Sequence, residues 1–73
     1  MRTRIVVLGA GISGVGAAVL ANSKGLDVFI SDIGKITDAN KTVLLNHDID
    51  FEEGQHTLDK ILNADEIIKS PGI

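Results

Sequence analysis

The sequence predicts an α/β fold in which a parallel sheet of four strands is interleaved with three helices. Two observations predict it. Short aliphatic runs at residues 5–8, 28–30, 49–51 and 66–69 alternate with segments of helical spacing. The hydrophobic share is 44% while aromatics make up only 3%, the balance expected of strands covered by helices on both faces. A chain of 73 residues is one domain with a thin core, because folding at this size buries only roughly 60% of the unfolded surface.

Ile5-Val6-Val7-Leu8 is a β-branched run ended by Gly9 and reads as the first strand, buried on both faces. A helix is expected over 13–24 with Gly25 as its C-cap. Gly14, Ala17, Ala18 and Ala21 share one face of it, so the helix can lie very close to the sheet. Val28-Phe29-Ile30 is the second strand, left at Ser31-Asp32. Thr37 or Asp38 caps a helix running to about Asn46, with Val43, Leu44 and Ile36 as its apolar contacts. Ile49-Asp50-Phe51 alternates and reads as a short edge strand. Thr57 is the expected N-cap of a helix to Asn63, with Leu58, Ile61 and Leu62 inward. Glu66-Ile67-Ile68-Lys69 is the last strand, broken by Ser70-Pro71-Gly72 because proline lacks the donor a sheet needs.

Strands alternating with helices imply right-handed parallel crossovers, hence a Rossmann-like sheet in the order 3-2-1-4. The chain winds from strand 1 to one side and returns to place strand 4 on the other. A crevice therefore opens at the carboxyl ends of strands 1 and 4, lined by residues 9–14 and 70–72, with Asp32 beside them.

Gly9-Ala10-Gly11-Ile12-Ser13-Gly14 matches G-x-G-x-x-G in its required context, after a strand and opening a helix. Gly9 permits the tight turn, Gly11 lets a ligand reach the main chain, and Gly14 allows close helix–strand packing. Amide N–H groups of the helix's first turn then suit a diphosphate; the alternative is a turn with packing duty only. Because amides rather than lysines would hold the anion, the net charge of −3 is no objection. Asp32 lies close to the ~20-residue spacing of an acid that binds a ribose hydroxyl. It fits equally an acid accepting from nearby main-chain N–H groups, or one contacting a ligand's base.

Other groupings point to less. Glu52-Glu53-Gly54-Gln55-His56 lacks helical ligand spacing and reads as a solvated acidic loop rather than a metal site. His47 reads as a helix C-terminal residue, favourable with the dipole when charged. Residues 48–66 carry seven acids against Lys60 and read as a solvated face. No nucleophile–base or paired-carboxylate constellation assembles, so no catalytic residue is assigned. The absence of cysteine excludes a disulfide-stapled secreted domain and a zinc module built on Cys pairs. The acidic balance argues against nucleic-acid binding. Residues 5–8 are too short for a signal segment, which leaves a cytoplasmic module as the expectation.

With Gly9-Ala10-Gly11-Ile12-Ser13-Gly14-Val15-Gly16 at one end and Ile68-Lys69-Ser70-Pro71-Gly72-Ile73 at the other, the whole chain resembles the N-terminal domain of the Mur ligases of peptidoglycan synthesis. Gly54-Gln55-His56 and Asn63-Ala64-Asp65-Glu66 resemble that family's third-helix region. Among these ligases it is most similar to the branch that adds D-glutamate. The resemblance implies a domain that binds UDP rather than NAD, with N–H groups of Gly11, Ile12 and Ser13 on the diphosphate. Uracil would sit between the Ile12-Ser13 turn and Gly72, near Ser70, with Asp32 and Ile33 at its edge. Some relatives carry Thr-Arg where Ile33-Gly34 stand here, so those contacts pass to main-chain groups or Ser13.

The resemblance further implies a UDP-linked muramyl precursor as ligand and an ATP- and Mg²⁺-dependent ligase in the full-length enzyme. ATP, Mg²⁺ and D-glutamate would be held by central and C-terminal domains, the partners of this one; no cofactor is expected in residues 1–73. Roles in cell-wall biogenesis, cell shape and division follow from the same resemblance, as does a domain continuing by a helix and a strand. With strand 4 at the edge, self-association or marginal stability is expected. The rival readings are the nucleotide half of an NAD- or FAD-dependent oxidoreductase, supported by the glycine loop and Asp32, and a non-enzymatic nucleotide sensor.

Overall fold

Residues 2–69 are described in the computed structural model of the chain. The element order is β1 (Arg4–Leu8), α1 (Ile12–Ser23), β2 (Asp27–Asp32), α2 (Asp38–Asn46), β3 (Asp50–Glu53), α3 (Leu58–Ile61) and β4 (Glu66–Lys69). All pairings are parallel and the sheet order is β3-β2-β1-β4, as the sequence predicts.

β1 and β2 are central because their residues are apolar in succession: Val6 and Val7, which point to opposite faces, are both fully buried. One face carries the larger core, where Ile5, Val7, Val28 and Ile30 meet Val15, Ala18 and Ala21 of α1 and Leu44 of α2. The small-residue stripe on α1 lets its backbone lie against the strands, and Gly14 is buried with it. Gly25, at φ 80°, ends α1 just past the Lys24 cap. Ile36 and Leu44 are fully buried, and each such side chain contributes roughly 1.5–3 kcal/mol of transfer free energy. Thr37 caps α2, its Oγ1 accepting the Asn40 N–H at 3.3 Å. His47 is the C-cap of that helix.

The opposite face is thinner, with Val6, Phe29 and Ile61 as its buried set. Here the third helix departs from expectation. It is a single turn, and only Ile61 faces inward; Leu58 and Leu62 are 63% and 72% exposed. One turn can present only one side chain squarely to a sheet, so the apolar spacing of residues 58–62 overstates its inner face. Arg4 fastens this corner. Its guanidinium reaches Asn63 Oδ1 (2.8 Å), the Lys60 carbonyl (2.9 Å) and Asp27 Oδ2 (3.1 Å). Its main-chain N–H donates to Asp65 Oδ2 at 2.8 Å, holding the approach to β4.

The edge strand β3 begins one residue later than Ile49 and extends through Glu53. Ile49 is buried just ahead of it, after a turn in which Asp48 adopts φ 55°. β4 forms the other edge, where Ile67 remains 47% exposed. No helix among the described residues is long and apolar enough to cross a membrane.

Candidate functional site

The glycine-rich turn is shaped by its own glycines and by two side chains from elsewhere. Gly9 sits at φ 103°, a conformation that residues with a Cβ rarely adopt, and its N–H donates to the Ser31 carbonyl at 2.8 Å. The next peptide is gripped from both sides. Asp32 Oδ2 accepts the Ala10 N–H at 2.8 Å, and Asn40 Nδ2 donates to the Ala10 carbonyl at 2.9 Å. Asp32 Oδ1 accepts the Gly34 N–H at 2.8 Å, so this acid ties the β1–α1 turn to the β2–α2 turn.

Gly11 is the N-cap of α1, with φ −75°, so its value lies in the missing side chain and not in an unusual backbone. Nothing stands within 4 Å of where its Cβ would be. No side chain caps α1 among the described residues, which leaves the N–H groups of its first turn to solvent or a ligand. Ile12 and Ser13 are exposed at this terminus, Ile12 to 88%. Gly14 packs inward.

Beside this terminus a cleft of about 160 Å³ opens at the carboxyl ends of the strands, lined by Leu8, Gly9, Asp32, Ile33, His56 and Lys69. The structure thus brings Gly9, Asp32 and Ile33 to one cleft, while Gly11, Ile12 and Ser13 adjoin it through Ala10 and do not line it. Ser70 and Gly72 lie outside the described residues. A larger hollow of about 390 Å³ lies elsewhere, among Arg4, Phe29, Asp50, Phe51 and Lys60. Arg4 and Asp50 begin their strands, so that hollow is at the amino end of the sheet, away from the edge where such folds bind ligands.

His56, Lys69 and Asn40 were not singled out by sequence reasoning. The signal that finds the first two is topological. In a parallel sheet, residues following β3 and ending β4 arrive at the same rim as residues 9–14 and 32. The expected solvated loop at 52–56 is corrected at its first two residues, which belong to β3. Glu52 is buried and accepts from Thr57 N–H (2.8 Å), Thr57 Oγ1 (2.5 Å) and Ser31 Oγ (2.8 Å). The Thr57 hydroxyl is therefore spent on Glu52 and does not cap α3. Glu53 pairs with Lys41 Nζ at 2.6 Å and accepts the Ile36 N–H at 3.2 Å. Burial alone would raise the Glu52 pKa, but the Thr57 and Ser31 hydrogen bonds and the Lys60 charge outweigh it and hold the carboxyl below its ordinary value. Lys41, by its hydrogen bond, does the same for Glu53. Among the described residues no group of three or more His, Cys, Asp or Glu side chains is placed to hold a metal ion.

Comparison with known proteins agrees with this geometry. A family model described as the MurD N-terminal domain matches residues 4–73. Curated relatives called UDP-N-acetylmuramoylalanine--D-glutamate ligase are similar over nearly the whole chain. That of Bacteroides fragilis is 63% identical over 70 residues, covering 96% of this chain and 16% of the relative. That of Porphyromonas gingivalis is 64% identical over 69 residues, covering 94% and 15%. That of Christiangramia forsetii is 52% identical over 73 residues, covering 100% and 16%. The chain spans about one sixth of the length of these relatives. A β1–turn–α1 unit with an uncapped helix start, a parallel 3-2-1-4 sheet and a match over 70 of 73 residues lead to one conclusion: the chain belongs to the MurD N-terminal domain family.

Proposed function

We propose that this chain recognises the UDP part of UDP-N-acetylmuramoyl-L-alanine, as the N-terminal domain of an ATP-dependent, D-glutamate-adding ligase of peptidoglycan synthesis. The observation that carries the reading is the uncapped first turn of α1, which opens beside the cleft with free space over Gly11. A diphosphate laid there meets the N–H groups of Gly11, Ile12 and Ser13 and the positive end of the helix dipole. The cleft beside it takes the base, with Asp32 and Ile33 on one wall and Ser70 and Gly72 assigned to its far side. In this reading Gly9 and Gly14 shape the turn and touch no ligand.

The chain's share of the reaction is binding and orientation. ATP supplies the activation of the precursor's carboxyl group. The described residues offer no metal cluster, so ATP and Mg²⁺ are assigned to the central and C-terminal domains of the full-length enzyme, which are this domain's partners. The reading places the enzyme in the cytoplasm, where its nucleotide substrates are made. The dinucleotide alternative rests on Asp32 as a ribose acceptor, and both oxygens of that acid already accept main-chain N–H groups.

Isothermal titration of the chain with UDP-N-acetylmuramoyl-L-alanine, UDP and NAD⁺ tests the proposal. Both uridine ligands should bind, and Ser13→Ala should weaken them several-fold. Tighter binding of NAD⁺ than of either uridine ligand would refute it.

A further inference from the structure

The β3–α3 connection links a buried carboxylate, a buried hydroxyl and an exposed imidazole into one relay that ends at the cleft. Ser31 is fully buried, and its Oγ lies 2.8 Å from Glu52 Oε2, 2.6 Å from His56 Nδ1 and 3.2 Å from the Gln55 carbonyl oxygen. The hydroxyl has one proton to donate. Glu52, which also takes the Thr57 N–H and the Thr57 hydroxyl on its two oxygens, is held as an acceptor-only carboxylate. Ser31 donates to Glu52, and the longer contact to Gln55 competes poorly for the same proton. Ser31 Oγ can then meet His56 only as an acceptor, so Nδ1 carries a proton. In the neutral ring the lone pair is left on Nε2.

The residue bearing that lone pair lines the cleft together with Leu8, Gly9, Asp32, Ile33 and Lys69. Leu8, Gly9 and Ile33 make much of the wall apolar, which suits a flat heterocycle better than a phosphate dianion. Lys69 only donates, Ile33 has no polar side-chain atom, and both Asp32 oxygens already accept main-chain N–H groups. A neutral acceptor in this cleft therefore comes from His56.

We infer that His56 reads the base of the bound nucleotide, its Nε2 accepting the imide N3–H of uracil while the Glu52–Ser31 pair holds the ring in the tautomer that leaves Nε2 free. This rests on the uridine reading above and adds to it the group that selects the base. Cytosine presents an unprotonated N3 at the same place, so two lone pairs would face each other. Ser31 and Glu52 are positioning residues in this scheme and touch no ligand.

Two measurements test it. The first needs no ligand: two-bond ¹H–¹⁵N correlation of the His56 ring at mildly alkaline pH should show the Nδ1–H tautomer, shifting towards Nε2–H in Ser31→Ala. An Nε2–H ring in the unsubstituted chain overturns the inference. The second is titration with UDP and CDP, which share the diphosphate and differ in the base. The unsubstituted chain should prefer UDP by about tenfold, the worth of one well-placed hydrogen bond. In His56→Leu that preference should fall to near unity with CDP affinity unchanged. His56→Gln, whose amide reaches the Nε2 position, should recover part of it, and His56→Asn, which reaches only as far as Nδ1, should not. UDP binding with an unchanged UDP/CDP ratio in His56→Leu overturns this inference alone. Failure of the unsubstituted chain to bind UDP at all overturns the proposed function and this inference together.

Discussion

Substituting Asp32 measures how far the glycine-rich turn is held from outside itself. Its two oxygens accept the Ala10 and Gly34 N–H groups, each at 2.8 Å, and Asn40 holds the other side of the Ala10 peptide at 2.9 Å. A hydrogen bond to a charged group contributes roughly 1.5–3 kcal/mol, and a half-buried carboxylate belongs at the low end because water competes for both partners. Asp32→Ala should therefore cost about 2–3 kcal/mol. Asp32→Asn keeps one acceptor and turns an NH₂ donor against the other amide, so it should cost about 1–2 kcal/mol. Against a total of roughly 4–11 kcal/mol for a domain of this length, either loss is large. Urea unfolding should show a lower midpoint with an unchanged slope, and hydrogen exchange at the Ala10 amide should accelerate. An Asp32→Ala protein within about 0.5 kcal/mol of the parent, with Ala10 exchange unaltered, would refute the clamp.

Three further outcomes are expected. Gly9→Ala forces a side chain onto φ 103° and should cost roughly 1–3 kcal/mol in thermal or urea unfolding; a neutral change would show that the turn relaxes freely. Arg4→Ala removes the bonds to Asn63, Asp27 and the Lys60 carbonyl and the stacking over Phe29, and should cost about 1–3 kcal/mol. Arg4→Lys should recover less than half of this, because an ammonium cannot replace the fork. The folded-state pKa values of Glu52 and Glu53 lie below their ordinary value of 4.5, so their ionised forms stabilise the fold fully above that value. That contribution should be lost as the pH falls through 4.5 and on through the lower folded values. Glu52→Gln should flatten the acid limb of a stability–pH profile, and an unchanged limb would contradict the assignment.

Much of the fold was legible locally. The runs at 5–8 and 28–30, the glycines at 9, 11, 14 and 25 and the Thr37 cap each announce their element through short-range chemistry. Their observed bounds differ from expectation by a residue or two. The third helix was overread because Leu58, Ile61 and Leu62 carry helical spacing, although the segment turns only once. The region 52–56 was underread. Four polar residues around one glycine look solvated in sequence, and nothing local says that Ser31, some twenty residues earlier, sits opposite Glu52 in the sheet register. The same blindness hid His56 and Asn40, whose partners are 25 and 30 residues away.

The sequence by itself determined the order of elements, the 3-2-1-4 winding and the glycine turn at the head of α1, because those depend on apolar periodicity, chain handedness and backbone freedom at single residues. Only the tertiary structure decided what the acids do. Parallel register set Glu52 against Ser31 and Asp32 against Ala10, turning carboxylates that read as a solvated face and a ligand contact into internal hydrogen-bond acceptors. The physical reason is that a carboxylate's role is fixed by which donors lie within about 3 Å of it, and those donors come from other strands and turns.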